Sequence, residues 1–153
     1  MTPAPRSAHQ RKADVLALFG DPGLCGTLTS VDGDADPEAP SVPLAWVEEY
    51  LVLAAAATDP VPKRVAAATR VRLDFGSGED DVVRVDAEPV LDVPAADAHR
   101  RLAEGFVAAT GWDPRAERKK HRFVVLEPRR IQAWRGRREI AGRTVMMVGA
   151  WKV

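Results

Sequence analysis

Residues 24–56 read LCGTLTSVDGDADPEAPSVPLAWVEEYLVLAAA and contain three short runs with the character of β-strands. Apolar and more polar residues alternate over 24–31, which is the period of a half-buried strand. Turn-forming residues fill 32–40, and two further strands are predicted over 41–46 and 50–56. This succession predicts a meander of antiparallel hairpins rather than a sheet of parallel strands joined by helices.

The rest of the chain adds strands and a few helices to this meander. Further strands are predicted over 70–75, 82–90, 123–126 and 131–134, with Pro128 as the break between the last two. Helices are predicted over 8–19, 63–68 and 94–110. A capping box of Ser7 and Gln10 begins the first helix, and Gly111 is the expected C-cap of the third. A glycine-rich turn is expected over 76–80, and another apolar stretch lies at 144–148.

Length and composition indicate a small mainly β protein. The 153 residues predict a single domain over 8–153, preceded by a flexible tail over 1–7. One cysteine, Cys25, excludes an intrachain disulfide and favours a reducing, cytoplasmic location. No apolar run reaches the roughly 20 residues of a membrane helix, and no secretory signal is expected.

Charge is unevenly distributed along a chain that is neutral overall. Residues 1–110 carry 10 Lys and Arg against 18 Asp and Glu, whereas residues 111–153 carry 12 against 4. The basic segment could meet an anionic partner. The favoured interpretation is that the two halves neutralise each other in the folded chain or dimer.

The order of elements and motifs resembles a known family. A meander is followed by Thr58 and then Lys63-Arg64, a strand from Arg70, a helix, the run 128–135, and the segment 139–144. This succession, over about residues 10–153, resembles the pyridoxamine 5′-phosphate oxidase-like flavin-binding split barrels, especially short actinobacterial members. The resemblance implies a six-to-seven-stranded antiparallel Greek-key split β-barrel with two or three peripheral helices. It also implies a homodimer with flavin mononucleotide (FMN) between the subunits.

The resemblance implies a phosphate site after the third strand. The family has Thr and then Ser-Arg-Lys there, which match Thr58, Pro62, Lys63 and Arg64 in this chain. Cationic side chains, a hydroxyl and the amides of a helix start would all donate to phosphate. Pro62 replaces the family serine and removes both a hydroxyl and an amide. The alternative is that Lys63 and Arg64 are the solvated face of a short helix.

Two further groups of residues follow from the resemblance. The flavin ring would rest along the second strand, at Val42, Pro43 and Leu44, although this strand could equally be core. Trp134 and Arg135 match positions near the dimer interface, where a tryptophan could stack on the ring and an arginine meet its charged edge. The alternative for Trp134 is a core residue that closes the barrel.

We therefore expect an FMN-dependent oxidoreductase that acts on an unidentified small molecule. No catalytic side chain is identified, since a flavin carries the chemistry itself. The family's Arg-x-His substrate pair is replaced by Arg135-Gly136-Arg137, so oxidation of pyridoxamine phosphate is not expected. Alternatives on the same barrel are a reductase that uses the deazaflavin F420, or a non-catalytic protein that binds flavin or, less favoured, haem.

Other chemistries find less support in the sequence. The acidic run 32–38 lacks the glycine of a calcium loop, because Pro37 stands there. His9, His99 and His121 show no metal-ligand spacing, and no metal site is predicted. Nucleic-acid binding through residues 115–143, with Trp134 stacked on a base, is the least favoured hypothesis.

Overall fold

The computed structural model describes residues 4–76 and 80–153. Within these ranges the helices are α1 (Ala8–Phe19), α2 (Pro60–Ala67) and α3 (Arg100–Thr110), and 3-10 turns lie at Ala95–Asp97, Pro114–Ala116 and Arg137–Glu139. The strands are β1 (Cys25–Val31), β2 (Asp34–Ala35), β3 (Ser41–Pro43), β4 (Ala45–Val47), β5 (Tyr50–Ala56), β6 (Val71–Phe75), β7 (Val82–Pro94), β8 (His121–Trp134), β9 (Thr144–Met147) and β10 (Ala150–Trp151). Across the described ranges, no helix is long and apolar enough to cross a membrane.

The strands form one antiparallel sheet that bends back on itself. Its main path runs β10-β9-β8-β7-β6-β1-β2, and β5 pairs with β4 and with the first half of β8. In the segment 41–47, β3 pairs with β1 and β4 pairs with β5, so the partner strand changes at Leu44. The sheet therefore does not close into a continuous barrel, and the predicted mainly β split barrel is confirmed.

The described residues contain ten strands, where six or seven were expected. The strand expected over 41–46 divides at Leu44 into β3 and β4. Two-residue strands also form at Asp34–Ala35 and Ala150–Trp151. The predicted turn over 76–80 lies partly outside the described residues.

Two apolar cores flank the first half of β5. Leu51 and Leu53 belong to the inner core enclosed by the curved sheet. Val52 and Ala54 face the outer core beneath α3, which contributes Phe106. Each fully buried large apolar side chain stabilises the fold by roughly 1.5–3 kcal/mol, so these two layers fix how β5 and β8 lie.

The helix predicted over 94–110 is shorter than expected. β7 continues to Pro94, a 3-10 turn follows, and α3 begins only at Arg100. The His99 side chain caps α3 by accepting from the Arg101 amide at 3.1 Å. The prediction of Gly111 as the C-cap is confirmed, since its φ of 75° is left-handed.

β8 crosses Pro128 without a break, so the prediction of two separate strands there was wrong. Asp86 of β7 pairs with Arg130 and Ala87 pairs with Pro128, which leaves Arg129 as an extra residue on β8. A bulge of this kind accommodates a proline, because the ladder is already interrupted where the amide hydrogen is missing. The resulting strand of 14 residues reaches from one end of the barrel to the other.

A buried carboxylate joins the two ends of the chain. Glu139 is 3% exposed and accepts from the Arg6 guanidinium at 2.7 Å, the Arg6 amide at 2.8 Å and the Arg135 amide at 3.0 Å. Arg11 of α1 adds a bond to the Gly142 carbonyl at 2.6 Å. Arg6 falls within the predicted flexible tail, and its side chain is nevertheless anchored. The predicted N-cap of α1 is confirmed, with the Gln10 amide donating to Ser7 Oγ at 3.1 Å, whereas the Gln10 side chain completes no capping box and donates to Asp14 at 2.8 Å.

Candidate functional site

A cleft of about 430 Å³ opens at the end of the barrel where β5 finishes and β8 begins. Its walls are Ala57, residues 94–97 at the end of β7 and in the 3-10 turn that follows, and side chains between Pro114 and Arg122. We call it the basic cleft. Ala56 pairs with His121, and the Ala57 amide donates to the Lys120 carbonyl at 2.9 Å, so strand pairing brings these distant segments together.

Positive charge dominates the lining of the basic cleft. Five cationic side chains face two acidic ones, Asp97 and Glu117; the cations are Arg115, Arg118, Lys119, Lys120 and Arg122. Arg115 is bonded to Asp113 at 2.9 Å and Arg122 to Asp92 at 2.9 Å. Within residues 4–76 and 80–153, Arg118, Lys119 and Lys120 form no ion pair. An anionic ligand would therefore meet uncompensated cations here.

The loop that carries these cations is anchored by Trp112. Its ring packs edge-on against Phe106 and against His121, with centroids 5.9 and 5.5 Å apart. Its Nε1 donates to Glu117 Oε1 at 2.7 Å. Asp113 then caps the 3-10 turn by accepting from the Arg115 amide at 3.0 Å, and a side-chain bond from Arg115 lowers the pKa of Asp113. The loop is thus held to α3 at its base while its cationic part lines the cleft.

Two of the sequence-predicted phosphate residues lie beside this cleft. Lys63 lines a narrow crevice that shares Ala57 and Arg122 with the basic cleft. Thr58 is exposed and directly follows Ala57. Thr58 and Lys63 thus lie at the margin of the basic cleft, which the cationic loop 115–122 helps to form.

The start of α2 offers fewer amide donors than we expected for a phosphate. Pro60 and Pro62 have no amide hydrogen, and the Val61 amide donates to Asp59 Oδ1 at 3.0 Å. The Asp59 carboxylate also adds negative charge where an anion would approach. Donors to an anion would therefore come from Lys63 and the loop rather than from the helix end.

Arg64, the third predicted phosphate residue, has a different partner. Its guanidinium is bonded to Asp36 in the acidic turn after β2, and the Asp36 side chain is 3% exposed. Arg64 does not line the basic cleft or its crevice. Its charge is already balanced within the chain.

The predicted ring-binding strand contributes mostly to the core. Val42 is 4% exposed and Leu44 is 2% exposed, and both belong to the inner core. The Leu44 amide donates to the Leu24 carbonyl at 2.9 Å. Of these three residues, only Pro43 presents its side chain to the surface.

Trp134 and Arg135 lie at the opposite end of β8 from the basic cleft. The twelve steps along the strand from Arg122 to Trp134 correspond to roughly 40 Å of strand. Trp134 is half-buried between the guanidiniums of Arg84 and Arg143, which lie 5.5 and 5.7 Å from its ring centre. Arg135 is exposed and lies 3.4 Å from Asp81. One chain alone does not bring these two residues to Thr58 and Lys63.

The cationic loop is the part of the site that sequence reasoning missed. Residues 112–121 were interpreted only as a charged loop, because a run of cations alone does not show what it lies against. The pairing of β5 with β8 over more than sixty intervening residues places it beside Thr58 and Lys63. The Asp-Pro cap at residues 113–114, after an anchoring tryptophan, was the available signal that this loop is fixed.

Comparison with known proteins establishes the fold. No protein-family model matches the chain, and no curated protein matches its sequence. A crystal structure of a putative pyridoxamine 5′-phosphate oxidase from Listeria innocua superposes with a TM-score of 0.57 at 17% identity, covering 80% of this chain and 96% of that one. A structure described as an F420 reductase superposes with a TM-score of 0.51 at 18% identity, covering 75% and 93%. The chain therefore has the split-barrel fold of these two proteins, as the sequence resemblance predicted.

Proposed function

We propose that this chain is an FMN-dependent oxidoreductase that binds the phosphate of the cofactor at the margin of the basic cleft. The observation that carries the proposal is the position of Thr58 and Lys63 beside a cleft rich in unpaired cations. The likeness in fold to a putative pyridoxamine 5′-phosphate oxidase and an F420 reductase supports a cofactor of the flavin type.

The residues present fit a phosphate monoester. Such a group carries nearly two negative charges near neutral pH and accepts several charge-assisted hydrogen bonds. Lys63 would donate from the crevice, Thr58 would add a hydroxyl, and Lys120 would contribute charge from the loop, whereas Arg122 is already paired with Asp92. Side chains thus replace the helix amides that Pro60 and Pro62 remove.

The bound flavin would supply hydride transfer, and the chain would hold and orient it. Pro43 would offer a surface beside the ring, and the neighbouring Val42 and Leu44 would fix that surface from the core. The substrate is a small molecule other than pyridoxamine phosphate, since Arg135-Gly136-Arg137 lacks the family's histidine. We place the reaction in the cytoplasm, in keeping with the lone cysteine.

We further propose a homodimer, and the geometry of β8 supports it. Trp134 and Arg135 lie roughly 40 Å along this strand from the basic cleft, too far to serve the same cofactor within one chain. A partner subunit in antiparallel arrangement would bring its own Trp134 and Arg135 toward the cleft. We therefore propose that each cofactor site is built from two copies of the chain.

The deazaflavin cofactor F420 is the second candidate. Arg118, Lys119 and Lys120 provide more positive charge than one phosphate requires, which favours a ligand with further anionic groups. One of the two solved structures described above is an F420 reductase. A non-catalytic protein that binds flavin or haem on the same barrel remains the alternative if no turnover accompanies binding.

Titration of the purified protein with FMN, F420 and haem, followed by absorption and by flavin fluorescence, tests this proposal. Lys63→Ala should weaken FMN binding by about tenfold or more, because a charge-assisted hydrogen bond contributes roughly 1.5–3 kcal/mol. Lys152→Ala removes an exposed lysine near the C-terminus and should leave the affinity unchanged. Equal affinity of the Lys63 variant and the wild type would contradict the phosphate assignment, and tighter binding of F420 would favour the second candidate.

A further inference from the structure

A second cavity, of about 230 Å³, lies on the outer face of the sheet where β1, β6, β7 and β8 run side by side. Three arginines, one serine and one carboxylate provide its polar lining: Arg70, Arg72, Arg130, Ser30 and Asp86. We call it the arginine pocket. It shares no lining residue with the basic cleft, and neither the proposed function nor the sequence analysis uses it.

Strand register explains why arginines converge here. Arg72 pairs with Asp86, and Asp86 pairs with Arg130, so the three side chains form one row across three strands. The inward neighbours Val71, Val85 and Ile131 are core residues, which directs this row outward.

Asp86 is engaged by only one of its two neighbours. Arg72 donates to both of its carboxylate oxygens, at 2.8 and 3.2 Å, and Asp86 is 7% exposed. Arg130 forms no ion pair with any described residue, and its Nε is buried without an acceptor there. When the Gln132 side-chain amide is oriented with its oxygen toward the neighbouring guanidiniums, this oxygen accepts from Arg130 Nη2 at 3.1 Å. A neutral amide thus holds the Arg130 guanidinium in place without balancing its charge.

The third arginine of the pocket is only loosely compensated. Arg70 is bonded to Glu88 at 3.1 Å, and their side chains are 55% and 38% exposed. Exposed ion pairs of this kind contribute little and exchange readily with another anion. Three guanidiniums therefore face two carboxylates in a concave surface, and one positive charge is left over.

We propose that the arginine pocket binds a phosphate group, as carried by a small phosphorylated ligand. Guanidinium forks match the oxygens of phosphate, and two of them, one on β8 and one just before β6 with β7 between them, provide a preformed cradle. Arg130 and Arg70 are the donors, Ser30 adds a hydroxyl, and the Arg72–Asp86 pair forms the floor. The site is independent of the cofactor cleft.

The test follows the arginine Nε–H resonances of ¹⁵N-labelled full-length protein during titration with inorganic phosphate at constant ionic strength. The proposal predicts saturable shifts of the Arg130 and Arg70 resonances, identified by their loss in Arg130→Gln and Arg70→Gln. Each substitution should weaken phosphate binding by about tenfold, since each removes charge-assisted hydrogen bonds. Arg129→Gln, which removes the adjacent guanidinium bonded to Glu127 at 3.2 Å, should leave binding unchanged.

Two further measurements make the outcome decisive. Lys63→Ala, which removes a cation from the crevice beside the basic cleft, should leave the shifts of Arg130 intact. Arg70 is exposed, so Arg70→Gln is expected to fold even if Arg130→Gln does not. Absence of saturable shifts, equal shifts with chloride, or unchanged affinity in Arg70→Gln would overturn the proposal.

Discussion

Replacing Glu139 by glutamine should remove a large electrostatic contribution to stability. The Arg6 guanidinium, which donates to Glu139, holds the pKa of that carboxyl at about 2 against its ordinary 4.5, while burial acts in the opposite direction. A difference of this size corresponds to about 3 kcal/mol of folding free energy. Because the pKa is lowered in the folded state, this stability is present above pH 4.5 and is lost as the pH falls toward 2.

Urea unfolding of the wild type and Glu139→Gln at pH 7 and pH 3 measures this contribution. At pH 7 the variant should be less stable by about 2–3 kcal/mol. By pH 3 the difference in free energy of unfolding between the wild type and the variant should have shrunk by about 2 kcal/mol. The reason is that Glu139 is protonated in the unfolded wild type at this pH but still ionised in the folded protein. Glu104→Gln is the matched control, since Glu104 is an exposed carboxylate bonded to Arg100 on α3. Equal stabilities at pH 7, or a gap that does not shrink on acidification, would refute the reasoning.

Two further changes test the fold at single residues. Val148 and Gly149 form the turn between β9 and β10 with φ of 53° and 76°, and a β-branched residue is strained there. Val148→Asn should therefore raise the free energy of unfolding by about 1 kcal/mol in urea, and a decrease would contradict this assignment of strain. Gly105 lies so close to β4 that an added Cβ would stand 2.5 Å from Val47 Cγ1. Gly105→Ala should lower the thermal midpoint through a loss of about 1–3 kcal/mol, and an unchanged midpoint would show that α3 shifts freely.

Local signals predicted local structure well in this chain. Ser7 and Gln10 identify the start of α1, alternation over 70–75 identifies β6, and Gly111 ends α3. Pro128 led to a wrong prediction of two strands, because a proline usually ends a strand. The register of β7 against β8 creates a bulge at this proline, and the sequence alone does not reveal that register. The helix predicted from residue 94 started late for a similar reason, since pairing with β8 extends β7 to Pro94.

The site was less predictable, because it depends on pairing between distant strands. Thr58 and Lys63 do lie at a cationic cleft, but its walls come from residues 94–97 and 114–122. Val42 and Leu44 turned out to be core residues, an alternative that the sequence had left open. Whether Trp134 and Arg135 serve the cofactor depends on a second copy of the chain, which no single sequence pattern specifies.

The uneven charge of the two halves is partly resolved by their contacts. Arg122 is bonded to Asp92, Arg135 lies near Asp81, and Glu139 is bonded to Arg6. The first two pairs join cations of the basic segment to carboxylates of the acidic one, in agreement with the favoured interpretation, whereas the third joins the segments in the opposite sense. Among the described residues, Arg118, Lys119 and Lys120 of the basic cleft find no such partner. Nucleic-acid binding through Trp134 gains no support, because guanidiniums lie over its ring.

Comparison of FMN with riboflavin, which has the same ring but no phosphate, tests the central claim most directly. The measurement is the equilibrium dissociation constant of each flavin for the wild type and for Lys63→Ala, by fluorescence titration at fixed ionic strength. The account predicts that FMN binds the wild type at least about tenfold more tightly than riboflavin, and that Lys63→Ala removes most of this preference. Equal affinities of the wild type for both flavins, or a preference that survives in Lys63→Ala, would contradict it.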